Sequence, residues 1–266
     1  MTTPSPNPAA LSHLLNTHRS IRRYKSDAVA QDLVESVCEE AIAGGSSSGN
    51  LNAVSIVVTR DVERKRRLYE MHFEQPMVLQ APLVLTFCAD WWRTRQWLAA
   101  RGARDNFNNF IGYHVAAFDA IIVAQNVCLG LAARGLGICY MGTTLHRMGE
   151  IADFLELPDT CLPVTTIVAG YPDEDPLKRD RLPLSAFLHN ETYQQPDIDA
   201  TYEEREVKGW ARYMAMPELA ERMQSHGLTS LAQFYTSRIK YDPDVFAQDS
   251  ATLQALLARK HFLPEA

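Results

Sequence analysis

The sequence lacks the motifs of the common hydrolytic and phosphate-loop enzymes. Its 266 residues contain no HExxH or GxxxxGKS/T pattern, and the one GxSxG match, residues 45–49, follows a predicted helix and not a strand, which argues against the usual zinc proteases, P-loop enzymes and serine hydrolases. The eight histidines show no metal-ligand spacing, so no metal site is predicted. Hydrolytic chemistry is therefore not expected.

Cysteine is scarce, and its pattern excludes a disulfide framework. The five cysteines are far apart, odd in number and include no CxxC pair, so they predict reduced, mostly buried thiols in a cytoplasmic protein. The beginning of the chain has neither a basic start nor an apolar core. Residues 1–10 are therefore predicted to be a disordered lead-in and not a signal peptide.

Uninterrupted apolar runs and an excess of positive charge are also missing. The most apolar stretch, residues 115–133, contains Asp119, Gln125 and Asn126, which predicts a core helix and not a membrane span. The formal net charge is −6 at pH 7, whereas a nucleic-acid surface is normally broadly basic. Neither a membrane nor a nucleic acid is an expected partner.

What the chain does contain is one dense local cluster of positive charge. The basic segment, residues 18–24, brings together His18, Arg19, Ser20 and Arg22. Guanidinium groups form paired, charge-assisted hydrogen bonds with a phosphate monoester, and a hydroxyl adds another donor. A solvated basic patch at a helix end would have the same composition. The segment alone leaves both interpretations open.

Two further polar segments suggest what such a cluster could bind. The serine loop, residues 46–50, offers hydroxyls and backbone N–H groups that suit an anion or the edge of a heterocycle, although a plain linker has the same composition. The second basic cluster, residues 176–183, could equally be a solvated loop. Because no acid–base machinery accompanies them, these segments suggest a phosphorylated cofactor that carries the chemistry itself.

Hydrophobic periodicity predicts an α+β core followed by a helical tail. Strands are predicted at residues 55–59, 82–89, 138–141 and 162–169, with none later in the chain. Helices are predicted at residues 11–17, 29–43, 61–71, 115–133 and 147–155, and in the tail around 203–208, 217–225 and 230–239. Gly135 and Gly137 lie between a helix and a strand, which predicts a helix C-cap and not a dinucleotide-binding turn.

The order of the polar motifs resembles the FMN-dependent nitroreductase family. The motifs are HRSIRRY at 18–24, SSSGN at 46–50, the segments 125–142 and 157–172, RDRLP at 179–183 and HNETY at 189–193. The resemblance covers about residues 11–193. The start of the tail is more similar to the larger, NADPH-preferring group of the family.

This resemblance implies a fold and an assembly. The expected fold is an α+β sandwich with a mainly antiparallel central sheet flanked by helices, a helical C-terminal extension, and an intertwined homodimer that holds FMN at the subunit interface. Residues 11–195 would form the FMN-binding domain, and residues 196–266 the extension that packs on the dimer.

The resemblance also implies residues that hold FMN. The phosphate and ribityl chain would be bound by His18, Arg19, Ser20, Arg22 and Arg181. Arg179 matches a position where the family often has lysine. The remaining matches are Ser47, Ser48 and Asn50, which would contact the flavin from the partner subunit, Gln75 near the pyrimidine edge, and Met141 and Gly142 in the strand–turn whose backbone N–H points at flavin N5.

The implied activity passes a hydride from NADPH to FMN and then, after NADP⁺ leaves, reduces a nitroaromatic, quinone or flavin. FMN carries the chemistry, so no catalytic side chain is expected. Two alternatives stay open: an FMN-dependent oxidation or dehydrogenation of a specific metabolite, and a non-enzymatic flavin-binding module. Thr143 and Thr144 stand where the NADPH-preferring group commonly has a second glycine. Candidates for binding the 2′-phosphate of NADPH are Arg205, Arg212 and Arg238.

The aromatic segment, residues 91–113, has two possible roles. It contains three of the four tryptophans of the chain together with several arginines and asparagines. We expect it to be helical with an excursion. It could cover the flavin pocket or pack against the partner subunit.

Overall fold

Residues 7–263, which the computed structural model describes, form eleven α-helices and four β-strands. The helices are α1 (Pro8–Thr17), α2 (Gln31–Ala43), α3 (Val62–Met71), α4 (Met77–Gln80), α5 (Trp92–Ala100), α6 (Phe110–Ala133), α7 (Met148–Phe154), α8 (Ile198–Met214), α9 (Pro217–Ser225), α10 (Leu231–Tyr235) and α11 (Pro243–Arg259). The strands are β1 (Val54–Thr59), β2 (Leu83–Asp90), β3 (Gly137–Met141) and β4 (Cys161–Gly170).

The four strands form one antiparallel sheet in the order β1-β2-β4-β3. Val54 lies opposite Ala89, Leu83 opposite Ala169, and the edge strand β3 ends its ladder at Met141. Every residue of β2 is buried, as expected for an inner strand that is covered on both faces. The predicted α+β class and antiparallel sheet are confirmed.

Helix α6 is the central helix of the core. It begins five residues earlier than predicted because the Asn109 side chain caps it, accepting a hydrogen bond from Gly112 N at 2.9 Å. By length and composition α6 could cross a membrane, with a mean hydropathy of 1.8 over its most apolar window. Val123, Ala124 and Val127 are nevertheless buried against α2 and the sheet, so α6 has the position predicted for a core helix.

Helix α1 begins earlier than predicted because of a single side chain. Residues 8–10 were expected in a disordered lead-in, and this is wrong because α1 begins at Pro8. Asn7 Oδ1 accepts hydrogen bonds from Ala9 N at 3.1 Å and Ala10 N at 3.3 Å, which starts the helix. The rest of that prediction, residues 1–6, lies outside the described residues.

The end of α6 also agrees with the prediction: Gly135 follows this helix with φ +79°, as expected for a helix C-cap.

The thiols are free and largely buried, as predicted. The buried ones are Cys88, Cys128, Cys139 and Cys161, and Cys38 is half-buried. Burial raises the pKa of Cys128 to about 12, so this thiol is neutral at physiological pH.

The described chain forms two compact units. The first contains residues 7–178 and 252–263, and the second contains residues 179–251. In the first unit the end of the chain packs beside the aromatic segment, with the rings of Tyr113 and Phe262 5.4 Å apart. These units do not coincide with the predicted domains, which divide at residue 195. The assignment of residues 11–195 to FMN binding stays a prediction.

The second unit is built around a small apolar cluster of its own. Met223, Leu231 and Phe234 are buried, and Trp210 and Tyr213 pack against them. The predicted helix at residues 217–225 is confirmed. Helix α10 is shorter than predicted, and the Ser230 side chain caps it by accepting a hydrogen bond from Gln233 N at 3.1 Å.

Candidate functional site

The basic segment leaves α1 and runs beside the edge strand β3. Ile21 N donates a hydrogen bond to Ile138 O at 2.9 Å, and the buried Tyr24 hydroxyl donates to Ile21 O at 2.5 Å. Gly137 permits this approach, since a Cβ there would lie 2.5 Å from Ile21 Cγ1. Buried Ile21 and Tyr24 therefore anchor the segment, while the side chain of Arg22 stays exposed.

The carboxylate of Glu174 holds the backbone of this segment. Glu174 Oε1 accepts hydrogen bonds from Arg22 N at 2.5 Å and Arg23 N at 3.1 Å, and the Arg23 guanidinium pairs with the same carboxylate at 3.4 Å. The backbone hydrogen bond from Arg22 is the main reason that the pKa of Glu174 is lowered. Arg22 contributes its N–H to this arrangement, and its guanidinium makes no hydrogen bond or ion pair with a described residue.

Arg19 points its guanidinium into a partly enclosed position. It pairs with Asp175 and donates to Thr17 O at 3.1 Å, but its buried Nε has no hydrogen-bond partner among the described residues. A buried N–H without an acceptor is costly, so this position suits an added anionic oxygen. Ser20 is half-buried beside Cys139, and His18 is exposed at the end of α1.

The serine loop is fastened to the core helix by a buried carboxylate. Asp119 on α6 is 3% exposed, and its Oδ2 accepts hydrogen bonds from Ser47 Oγ at 2.7 Å and Ala53 N at 3.0 Å. Ser47 Oγ also accepts one from Asn52 N at 2.8 Å. The Ser47 hydroxyl is thus used within its own chain, whereas Ser48 and Asn50 are exposed.

Replacing this carboxylate is expected to destabilise the fold. In Asp119→Ala two buried donors lose their acceptor, which should lower the free energy of unfolding by about 2–4 kcal/mol in a urea titration. Ser48→Ala, at an exposed position next to Ser47 in the same loop, is the control and should change it by less than about 0.5 kcal/mol. Equal effects for the two variants would contradict the assigned role of Asp119.

The turn after β3 presents open backbone. Met141 is buried, and its carbonyl accepts a hydrogen bond from Thr144 Oγ1 at 2.8 Å, which closes the turn. Gly142 is exposed, and a Cβ added there would meet no atom within 4 Å. A flat ligand could therefore approach the backbone of Gly142 closely.

Gln75 is bonded to this same turn. Its Nε2 donates to His72 O at 3.2 Å and to Thr143 Oγ1 at 3.4 Å. His72 is fully buried, with Nδ1 2.7 Å from Thr143 Oγ1, and desolvation lowers its pKa to about 4. The contact between His72 and Thr143 could not be predicted from the sequence, because His72 appears there as one isolated histidine among several.

The structure therefore groups some of the expected site residues and separates others. The basic segment lies at the start of β3, and the turn with Gln75 lies at its end, about 13 Å along the five-residue strand. No described hydrogen bond joins the serine loop to either group. Trp91 and Phe107 of the aromatic segment stack in the core, at a ring distance of 4.1 Å, so these two rings do not form a cover.

Arg179 and Arg181 belong to the second unit, where they line a cationic cavity of about 210 Å³. Arg205, Lys208 and Arg212 also line it, with tyrosine side chains on the wall. The guanidinium groups of Arg181, Arg205 and Arg212 make no ion pair with a described residue.

Two other cations of this unit, Lys208 and Arg238, pair with acidic neighbours. Lys208 is held by Glu204 and, at 3.1 Å, by Asp180, and these carboxylates raise its pKa. Arg238 pairs with Asp244 at 3.2 Å and does not line the cavity. The cavity thus combines unpaired guanidinium groups with aromatic wall, a composition suited to a phosphorylated nucleotide.

Comparison with known proteins places the chain in a family. The model of the nitroreductase family matches residues 15–171. An "FMN reductase [NAD(P)H]" of Bacillus subtilis is 34% identical over 187 residues, which are 69% of this chain and 74% of the relative. An "FMN reductase (NADPH)" of the same organism is 32% identical over 178 residues, 66% of this chain and 71% of the relative.

A solved structure agrees over almost the whole chain. The crystal structure of a Bacteroides fragilis protein assigned as an oxidoreductase superposes with a TM-score of 0.85 at 34% sequence identity, covering 94% of this chain and 99% of that one. The match therefore includes the helical C-terminal part as well as the sheet. The family match spans more than half of the chain and includes the basic segment, the serine loop and the turn after β3. The chain belongs to the nitroreductase family.

Proposed function

We propose that this chain is an NAD(P)H-dependent FMN oxidoreductase. Two of its relatives are named FMN reductases, one with NAD(P)H and one with NADPH. The observation that carries the proposal is the arrangement along β3, where the buried Nε of Arg19 without an acceptor and the exposed guanidinium of Arg22 lie at one end, and the open backbone of Gly142 beside Gln75 lies at the other. When bound, FMN would accept a hydride from the nicotinamide and pass two electrons to an acceptor.

The residues of the first unit fit FMN in their chemistry. Arg19 offers a buried N–H that lacks an acceptor, and Arg22 offers a guanidinium without a partner, so both can bind the phosphate. Ser20 and His18 add donors beside them. The assignment of Arg179 and Arg181 to the same phosphate stays a prediction from the family resemblance. Both N–H groups of the Gln75 amide donate within the chain, to His72 O and Thr143 Oγ1, so its Oε1 is the atom that could accept a hydrogen bond from the N–H of a pyrimidine edge.

The chain itself contributes electrostatic preorganisation at the ring. The N–H groups of Met141 and Gly142 lie in a turn that Thr144 fixes, and donors held in place stabilise negative charge without reorganising. Removing one such donor typically costs about 3 kcal/mol of transition-state stabilisation. No side chain is needed as a general acid, because solvent can protonate the product.

A homodimer would complete the site. Helix α6 exposes an apolar row that includes Ile111, Phe118 and Ile122, and the spacing of seven and four residues puts these side chains on one face. Such a face on a soluble protein suits a second copy of the chain. The Asp119–Ser47 bond fixes the serine loop to this helix, so pairing through α6 would present Ser48 and Asn50 to the partner.

The second unit is suited to the nucleotide donor. Arg205 and Arg212 line the cationic cavity without a carboxylate partner and are the better candidates for the 2′-phosphate of NADPH, whereas Arg238 is already paired. We propose NADPH as donor, nitroaromatics, quinones or free flavins as acceptors in a ping-pong reaction, and the cytoplasm as location. A dedicated metabolite oxidation is the alternative activity.

An anaerobic absorbance titration tests the proposal. Purified protein reconstituted with FMN should bleach on addition of NADPH, more readily than with NADH, and should recover its absorbance when a quinone or nitroaromatic is added. Protein that takes up no FMN would overturn the proposal. Bound FMN that neither nucleotide reduces would instead support a non-enzymatic flavin-binding module.

A further inference from the structure

A buried histidine controls the direction of one hydroxyl at the turn after β3. His72 Nδ1 lies 2.7 Å from Thr143 Oγ1, and Gln75 Nε2 lies 3.4 Å from the same oxygen. His72 Nε2 is buried and has no partner among the described residues. The Thr143 oxygen is thus shared by two nitrogens, and its role depends on which ring nitrogen of His72 carries the proton.

The buried ring is neutral, so one nitrogen of His72 carries the only N–H. A proton on Nε2 would leave a buried N–H without an acceptor, and such groups are rare in proteins. A proton on Nδ1 leaves only a lone pair unsatisfied at Nε2 and lets the ring donate to Thr143. The lowered pKa of His72 agrees with a ring that stays neutral. The Nδ1–H tautomer is therefore favoured.

This tautomer decides what the Thr143 hydroxyl can do. A hydroxyl has two acceptor positions and one proton. His72 Nδ1–H and Gln75 Nε2–H fill both acceptor positions, so Thr143 can only donate. Thr143 is half-buried and follows the exposed Gly142, beside which the space is open.

We propose that Thr143 is a hydrogen-bond donor to bound FMN, with His72 as the positioning residue that directs its proton. The inference rests on the proposed FMN site. It assigns two residues that the family resemblance did not supply, since Thr143 stands where the related group commonly has glycine. The carbonyl oxygens of the flavin ring are acceptors that gain negative charge on reduction, so a hydroxyl that can only donate favours reduced FMN.

Substitutions of Thr143 separate the hydroxyl from the shape of the side chain. Thr143→Val keeps the branched shape and removes the donor, and Thr143→Ser keeps the donor. In Thr143→Val the affinity for reduced FMN should fall about tenfold more than that for oxidised FMN, which corresponds to a midpoint potential about 30 mV more negative. Thr143→Ser should keep the wild-type potential.

Substitutions of His72 test its positioning role in the same way. The amide nitrogen of His72→Asn replaces Nδ1–H as a donor and should preserve the potential, whereas His72→Leu should shift it as Thr143→Val does. Unchanged potentials in both Thr143→Val and His72→Leu would overturn the inference.

A measurement on the unsubstituted protein avoids the risk that a variant does not fold. The ¹⁵N chemical shifts of His72 in FMN-free protein should report a protonated Nδ1 and an unprotonated Nε2, and the opposite tautomer would overturn the inference. Wild-type FMN titration separates the two proposals. If wild-type protein binds FMN and both variants keep its midpoint potential, only the role of Thr143 fails. If wild-type protein binds no FMN, the proposed function fails.

Discussion

Arg22→Glu is expected to remove FMN from the purified protein, weakening its binding by at least about 100-fold. The guanidinium of Arg22 has no partner among the described residues, so it is free to form charge-assisted hydrogen bonds with a phosphate. Reversing its charge removes those bonds and adds repulsion. The expected readout is the Kd of FMN from fluorescence quenching during titration of FMN-free protein.

The fold should survive this substitution, because the hydrogen bond from Arg22 to Glu174 is made by the backbone N–H, and the charge of the guanidinium is only the smallest of the causes that lower the pKa of Glu174. The thermal midpoint is therefore expected to change by less than about 3 °C. Lys25→Glu is the matched control: it makes the same charge change three residues away and should leave the Kd within about threefold. Equal losses of FMN affinity in both variants would indicate that the overall positive charge of the basic segment matters, and would contradict a specific phosphate contact by Arg22.

If the proposed homodimer forms through α6, Ile111→Glu combined with Phe118→Glu is expected to leave the protein monomeric at micromolar concentration. The two side chains are 76% and 63% exposed in the single chain, and burying a carboxylate at each in an apolar interface costs several kcal/mol. Sedimentation velocity measures the change. Because the serine loop would then no longer reach a partner, FMN occupancy should fall together with the dimer.

Val62→Glu is a suitable control for the dimer test. Val62 is also an exposed apolar residue on a helix, 61% exposed, but it lies on α3 and outside the row on α6. This variant should stay dimeric and keep its FMN. A double variant that remains a dimer would show that α6 is not the interface. A monomer with full FMN occupancy would show that the serine loop of a partner is not required.

The sheet could be predicted from the sequence because its signals are local. Each strand is a short run of apolar and β-branched residues next to proline, glycine or charge, and all four lie within two residues of their predicted bounds at each end. Helix boundaries depended on caps. Asn7 and Asn109 begin α1 and α6 earlier than the apolar pattern suggested, since a single side chain decides where a helix starts.

The rest depends on contacts between distant parts of the chain. Asp119 appeared in the sequence only as an interruption of an apolar stretch, yet it binds the serine loop 72 residues away. His72 and Thr143 are 71 residues apart and show no shared pattern. Helix α11 was not predicted, because its buried residues come near its end and pack beside Trp91. Local periodicity contains no information about such partners.

The packing of residues 252–263 in the first unit has a consequence for how the length of the chain could change in evolution. Residues 179–251 are in effect an insertion, because both of their ends join one folded body whose core includes Leu257 and Phe262. The entropy of closing a loop grows only slowly with its length, so an insert of this kind can lengthen, shorten or diverge at little cost to its host. A shortened protein made by simple C-terminal deletion would lose core residues together with the insert, and a cleaner deletion would end before Pro243, where α11 begins.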